Sequence, residues 1–333
     1  MLMRPIIIGV IAMLGAVGCT VSAPATPVGT PYPAGLWDAH VHLGRWGDDA
    51  LDSLNKYGVV GVRDAGGDPA LLKRWRAEIA SGARRGPRIY FSGPHINGPR
   101  DDSTNRIIVR TAVDGERAVD SLAALGVDFI KTHTRIPPAA YFAVLRQAGV
   151  RGLKVMSHLP DGVPAWVAAD SGVSDIEHMV ESIIASPMSA GFVKTVEEAM
   201  DWWLSPAGDT MITHLARTRV VVTPTIVAYM PFVEMARNQE ERDGRMRVYN
   251  VQKELTRRFN KAGIVILAGS DFATRDKGLA PGTSLLSEMR ALAEAGLTPD
   301  EVRRAAGANI IAWLESQPKT TRRAFVDHVI AMK

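Results

Sequence analysis

A chain of 333 residues, 46% hydrophobic and 22% charged, has the composition of a globular protein with a sizeable core, which argues against disorder. Its formal net charge of +4 comes from lysines and arginines scattered singly or in pairs such as Arg84-Arg85 and Arg322-Arg323. No basic stripe with interleaved aromatics is present, so a nucleic-acid partner is not expected.

In chain order, the first element reads as an export signal. Met1-Leu2-Met3-Arg4 carries one positive charge, and Pro5 to Val17 is an apolar run of secretory length, too short to span a bilayer. Its end, Ala16-Val17-Gly18-Cys19, resembles a bacterial lipobox, with Ala16 where leucine is more usual. That resemblance implies cleavage after residue 18, lipidation of Cys19, and a membrane contact made through the lipid anchor only, on the periplasmic side or the cell surface. The alternative is simple signal cleavage to a periplasmic protein. Cys19 is the only cysteine, so neither a disulfide framework nor a thiol nucleophile is expected in the mature chain. Residues 19–34, rich in Pro, Thr and Ala from Ser22 to Pro33, read as a tether.

From Leu36 onward, short β-rich runs alternate with amphipathic helical stretches, the pattern of repeated βαβ units. Eight strands are predicted: Leu36–His42, Val59–Arg63, Arg88–Ser92, Val127–Thr132, Gly152–His158, Ser174–His178, Val220–Val227 and Ile264–Asp271. Helices are predicted over Pro69–Ser81, Gly115–Leu125, Pro138–Ala148, Val163–Ser171 and Phe232–Ala262, with Asp114 and Asp161 as capping residues and Gly149, Gly172 and Gly263 as stops. The expected fold is an α/β (β/α)8 TIM barrel over residues 35–316, whose reactive groups would lie at the C-terminal strand ends. Residues 317–333 form a C-terminal extension. Trp202 and Trp203, between the sixth and seventh strands, pack the helical layer or form a lid.

Residues able to bind metal recur at those strand ends. His40 and His42 are one residue apart in a strand, so both imidazoles face the same side and can chelate one ion. Later runs end in Lys131, His158, His178 and Asp271. A lone histidine is usually a surface or satisfied core residue. An ordered series at corresponding strand ends points to a metal site.

These residues, with Gly61-Val62-Arg63-Asp64-Ala65-Gly66-Gly67, Ile176-Glu177-His178-Met179, Thr223-Pro224-Thr225 and Ala268-Gly269-Ser270-Asp271, resemble the amidohydrolase superfamily, in its imidazolonepropionase-like and prolidase-like branch. The resemblance runs from Leu36 to Leu314. It implies two divalent metal ions, one held by His40, His42 and Asp271 and the other by His158 and His178, with Lys131 bridging them. Lys131 would do so as a carbamate formed from carbon dioxide, because an ammonium cannot ligate a cation and burial beside metal charge favours the neutral amine. Zinc suits such a donor set best among common metals, with iron, manganese and cobalt also accepted. A metal-bridging hydroxide would be the nucleophile and Asp271 the general acid–base.

Around this centre, Tyr229 is a candidate donor to an oxyanion or substrate carboxylate, and His95, His133 and Arg135 are candidate substrate contacts on site-facing loops. Asp64 with Gly66-Gly67 reads as a structural turn, and Asp38 as a group orienting a neighbouring ligand. The flanking β-sandwich usual in the superfamily is expected to be missing or vestigial; Ala324 to Ile330 faintly resembles its closing strand, so His328 is not expected to be a ligand. Leu286 stands where relatives often have a histidine. The function expected is metal-dependent hydrolysis of an amide-type C–N bond in a small peptide or cyclic amide. The alternatives are an esterase, lactonase or phosphotriesterase on the same centre, or a non-catalytic ligand-binding lipoprotein.

Overall fold

Two parallel sheets make up the interior of the computed structural model, which describes residues 35–99, 105–272 and 278–316. Contacts divide the chain into units Met1–Pro33 and Ala34–Lys333, and every described residue belongs to the second. The signal segment, Cys19, the tether, residues 317–333 and His328 lie outside the described residues.

The first sheet consists of β1 (Leu36–Val41), β2 (Val59–Asp64) and β3 (Arg88–Phe91), in that order. The second has the order β5-β4-β6-β7-β8-β9, where β4 is His95–Asn97, β5 Arg106–Ile108, β6 Ile130–Thr132, β7 Val155–Ser157, β8 Asp175–Glu177 and β9 Val221–Thr223. All pairings are parallel. Parallel strands need covering on both faces, and the apolar runs here are buried almost throughout. Strands β4 and β5 were not expected. They form from the connection after β3, with Ile96 and Ile107 paired across them.

The segment predicted as the eighth strand, Ile264–Asp271, forms one isolated bridge, Val222↔Ile266, and a second, Val41↔Phe272, follows just past its end. On one side Leu267 N donates to Val222 O (2.9 Å), and on the other Ala39 N donates to Ala268 O (2.8 Å) and Asp271 N to His40 O (2.8 Å). Its irregularity has a local cause. A Cβ on Gly269 would lie 2.6 Å from Thr223 Cγ2 and 2.9 Å from His40 Cβ, so the backbone passes too close to both neighbours for any other residue. At the opposite junction, Asp128 N donates to Phe91 O (2.9 Å), linking β3 to the segment that enters β6.

Helices α1 (Asp49–Lys56), α2 (Pro69–Ala80), α3 (Ala112–Ala124), α4 (Pro138–Val150) and α5 (Ala165–Asp170) alternate with these strands. A π-helical turn, Met179–Ile184, follows β8 and leads to α6 (Ser186–Ser189), α7 (Val196–Leu204) and α8 (Pro206–Thr218). After β9 come a 3-10 turn, Ile226–Tyr229, then α9 (Met230–Glu234), α10 (Gln239–Lys261), α11 (Thr283–Glu294), α12 (Pro299–Ala305) and α13 (Ala308–Glu315). Buried Val248, Val251, Leu255 and Phe259 recur along α10 at helical spacing and set its inner face.

Several sequence expectations change here. The helix predicted over Phe232–Ala262 is two helices, because Asn238 turns extended and its side chain accepts from Glu241 N (2.8 Å), starting α10 afresh. Thr111 caps α3, with Asp114 as the reciprocal third residue of a capping box. Asp161 caps no helix, since α5 begins after Pro164. Gly149 lies inside α4, and Gly152 takes the left-handed turn after it, at φ +68°. Trp203 is fully buried and donates from Nε1 to Ile183 O (2.7 Å), and Trp202 stacks on Trp166 at 5.7 Å, so this pair packs the helical layer. No helix among the described residues is long and apolar enough to cross a membrane.

Candidate metal centre

The strands deliver their C-terminal residues to one cavity of about 210 Å³, lined by all six expected ligands. Around it stand six of the chain's eight histidines. Their rings form a circuit: His40 to His42 (5.2 Å between centroids), His42 to His95 (5.6 Å), His95 to His133 (5.7 Å), His133 to His158 (4.6 Å), His158 to His178 (4.5 Å) and His178 back to His40 (4.9 Å).

Asp271 closes the group at one side. Its Oδ1 is 3.1 Å from His42 Nε2 and 3.3 Å from His40 Nε2, and its backbone adopts φ +49°. Burial alone would raise its carboxyl, but the hydrogen bond and charge of His42, with the nearby Lys131, hold it below the usual aspartate value. His40, His95, His158 and His178 are all pushed well below the ordinary histidine value, first by burial, and stand as neutral imidazoles. Lys131 is buried, and desolvation pulls its amine down to about 7 against the opposing pull of Asp271 and Asp175.

This donor chemistry fits a cation. His40 Nδ1 and Nε2, His158 Nε2 and Glu177 Oε1 are buried and lack a hydrogen-bond partner; His40 Nδ1 and Glu177 Oε1 are 2.9 Å apart without hydrogen-bond geometry. Orphaned polar atoms in a protein interior are costly, and unprotonated nitrogen lone pairs facing one point are what a divalent ion requires. Among the described residues two groups have ligand atoms within 4.8 Å of one another: His40, His42 and Asp271, and His40, Glu177 and His178.

Glu177 is the chief residue missed from sequence. It is fully buried, contacts Lys131 Nζ directly through Oε2, and faces His40. Beneath it lies a second unanticipated group. Arg63, fully buried on β2, donates to Asp175 (2.6 Å), Ala39 O (2.6 Å) and Thr223 Oγ1 (3.3 Å), and lies 4.4 Å from the centroid of Trp313.

The surrounding residues divide. Tyr229 lines the cavity, its phenol pushed up by burial and by Glu181, so it remains a proton donor. His95 and His133 also line it, with His95 Nε2 against Ala65 O. Arg135 does not: it is exposed beside Pro99, Ile136 and Asp161 in a separate depression, because its backbone N–H is tied to Asn97 Oδ1 (3.0 Å) and the chain turns outward there. Arg45 and Arg106 line the cavity instead. Asp64 forms the expected turn, accepting from Leu43 N (2.7 Å), Gly66 N (3.2 Å) and Gly67 N (2.6 Å). Asp38 orients backbone rather than imidazole: it accepts from His40 N (3.2 Å) and Ser270 N (2.9 Å), and burial raises its carboxyl to about 7. Leu286 is 41% exposed on α11 and does not line the cavity.

No protein-family model matches the chain, and no curated protein is similar to it. Solved structures are. A bottromycin amidohydrolase superposes with a TM-score of 0.67 at 22% identity, over 85% of this chain and 68% of that one. A Xaa-Pro dipeptidase with bound methionine in the active site gives 0.60 at 19% identity, over 86% and 77%. The A. niger ochratoxinase gives 0.62 at 18% identity, over 85% and 71%. These are amidohydrolase-superfamily proteins, and at such identities the likeness is one of fold.

Proposed function

We propose that this protein is a metal-dependent hydrolase of an amide-type C–N bond in a small peptide or cyclic amide. In this reading the two parallel sheets are arcs of one closed (β/α)8 barrel, with residues 35–316 as the catalytic domain. The supporting observation is the set of neutral, partly orphaned imidazoles meeting Asp271 and Lys131 in a single cavity, with buried Glu177 against Lys131 and His40. His40, His42 and Asp271 would hold one ion, and His158 with His178 a second, with Lys131 as a carbamate between them. Such ions, zinc by donor type, supply Lewis acidity and a bound water whose pKa falls from about 15.7 to about 7.

The chain's own groups supply the rest. Asp271, ionised and beside His42, can take a proton from the attacking water and return it to the leaving nitrogen. Tyr229 keeps its phenolic proton to donate to the oxygen that gains charge. His95, a neutral imidazole, and His133 on the facing wall can hydrogen-bond the substrate, and Arg45 and Arg106 favour an anionic group on it. Esters, lactones and phosphotriesters could use the same machinery, so a panel of dipeptides, N-acyl amino acids, lactones and organophosphates is the discriminating screen.

The direct contact of Lys131 with Glu177 favours a second arrangement, in which Lys131 stays an ammonium paired to Glu177 and only one ion binds at His40, His42 and Asp271. Metal analysis of protein prepared with and without bicarbonate separates the two. About two ions per chain and a carboxylated Lys131 support the first; one ion and an unmodified lysine support the second; no metal uptake refutes both. Asp271→Asn is expected to lower kcat by about 100- to 10,000-fold while the fold is retained. Unaltered turnover would remove Asp271 from the chemistry. Export and lipidation at Cys19 belong to the same proposal, and the mass of the N-terminal peptide from membrane-extracted protein tests them.

A further inference from the structure

The turn after β9 is strained in a way the ligand set alone does not explain. Thr225 adopts φ +48° and ψ +46°, a left-handed conformation that a β-branched residue rarely takes. Glycine or asparagine would adopt it more readily, so the threonine carries a conformational cost here. Its Oγ1 lies 2.9 Å from His178 Nδ1 and is almost fully buried there. The turn is pinned from below: both oxygens of buried Glu288 on α11 accept backbone hydrogens, from Ile226 N at 3.1 Å and Val227 N at 2.8 Å. His178 is itself left-handed at φ +63°, and its backbone N–H is held by Thr223 O at 3.1 Å. Two distorted strand ends, already joined by backbone hydrogen bonds, are thus also tied side chain to side chain through one hydroxyl.

We propose that Thr225, held in its strained turn by Glu288, is a positioning residue that accepts a hydrogen bond from His178 Nδ1–H and thereby presents His178 Nε2 to the metal. Asp271 Oδ2, the nearest carboxylate oxygen to the same Nδ1, is 3.9 Å away, beyond hydrogen-bond reach, so the hydroxyl is the partner that sets the ring. The inference rests on reading His178 as a ligand, and ligating histidines commonly have the other ring nitrogen fixed in this way.

The test is a 15N-histidine correlation spectrum of the metal-free full chain, paired with zinc titration of wild type, Thr225→Val, Thr225→Ser and Glu288→Gln. The wild-type His178 should be the Nδ1–H tautomer. Thr225→Ser should keep that tautomer and bind zinc within about threefold of wild type, whereas Thr225→Val should give mixed tautomers and about 10- to 100-fold weaker zinc binding. Glu288→Gln should shift both readouts in the direction of Thr225→Val. An Nε2–H tautomer in the wild type overturns the proposal without any variant being needed; unchanged tautomer and affinity in Thr225→Val overturn it equally, and unchanged values in Glu288→Gln remove Glu288 from it. Failure of every amide substrate would sink the hydrolase reading and leave the tautomer result standing.

Discussion

Replacing Arg63 by methionine tests how the floor of the cavity is held. The guanidinium is fully buried, its Nη2 2.6 Å from Asp175 and 3.7 Å from Glu177, so its removal strands two interior carboxylates that Thr223 and Lys131 compensate only in part. Breaking a buried pair from one side costs about 3–5 kcal/mol. That is a large fraction of the ~5–15 kcal/mol by which a domain is stable. At about 2–4 °C per kcal/mol for a domain approaching this size, Tm should fall by about 6–20 °C. Urea midpoints at constant m-value give the loss directly. A cycle with Asp175→Asn isolates the pair: in Arg63→Met/Asp175→Asn the stranded Asp175 charge is gone while Glu177 keeps Lys131, and the double variant should be more stable than the summed single losses predict by about 1–3 kcal/mol. A loss below about 1 kcal/mol for Arg63→Met, or strict additivity, would mean that the contact carries no stability and the argument fails.

Glu288 predicts a pH dependence. Burial lifts its carboxyl from 4.5 to about 8, so the native state keeps a proton that the unfolded chain has released. Its contribution is therefore full below about pH 4.5 and is lost as pH climbs to about 8, by an amount on the order of 5 kcal/mol at most. Glu288→Gln should flatten the fall in urea midpoint between about pH 5 and about pH 8, and an unchanged slope would assign it to other groups. Gly66→Ala should destabilise by about 1–3 kcal/mol, because the new Cβ would sit 2.0 Å from His95 Nε2 at a φ of +153° that only glycine tolerates. An unshifted Tm, with His95 resonances unmoved, would contradict that placement.

The parts of the site visible in the sequence are those that obey strand alternation. His40 and His42 share a face because Val41 between them points away, and the apolar runs before Lys131, His158 and Asp271 located three further residues of the cavity. Glu177 escaped because alternation assigns it the face opposite His178. The left-handed backbone at His178 breaks that rule and turns both side chains into one site. An acid following buried Ile176 was the available signal, since a charge in such a run needs a partner. Arg63, one residue beyond buried Val62, carried the same signal. Arg106 and the strands β4 and β5 were less accessible, because a connection after β3 folds against the sheet edge for tertiary reasons that local propensity does not encode. The break before α10 was readable in Asn238 and Glu241, whose spacing suits a helix start.

The first strand is completed by residues far along the chain. Trp37 N donates to Ala306 O, Ala39 N to Ala268 O, and His42 N to Phe272 O, while Lys154 holds carbonyls of Trp313, Leu314 and Ser316. Synthesis must therefore pass residue 306 before the backbone of the first strand has all of these partners. Contacts so distant along the chain slow folding and leave apolar edges open meanwhile. A nascent chain halted before Asp271 has the paired histidines without the carboxylate whose Oδ1 lies within 3.3 Å of both imidazoles.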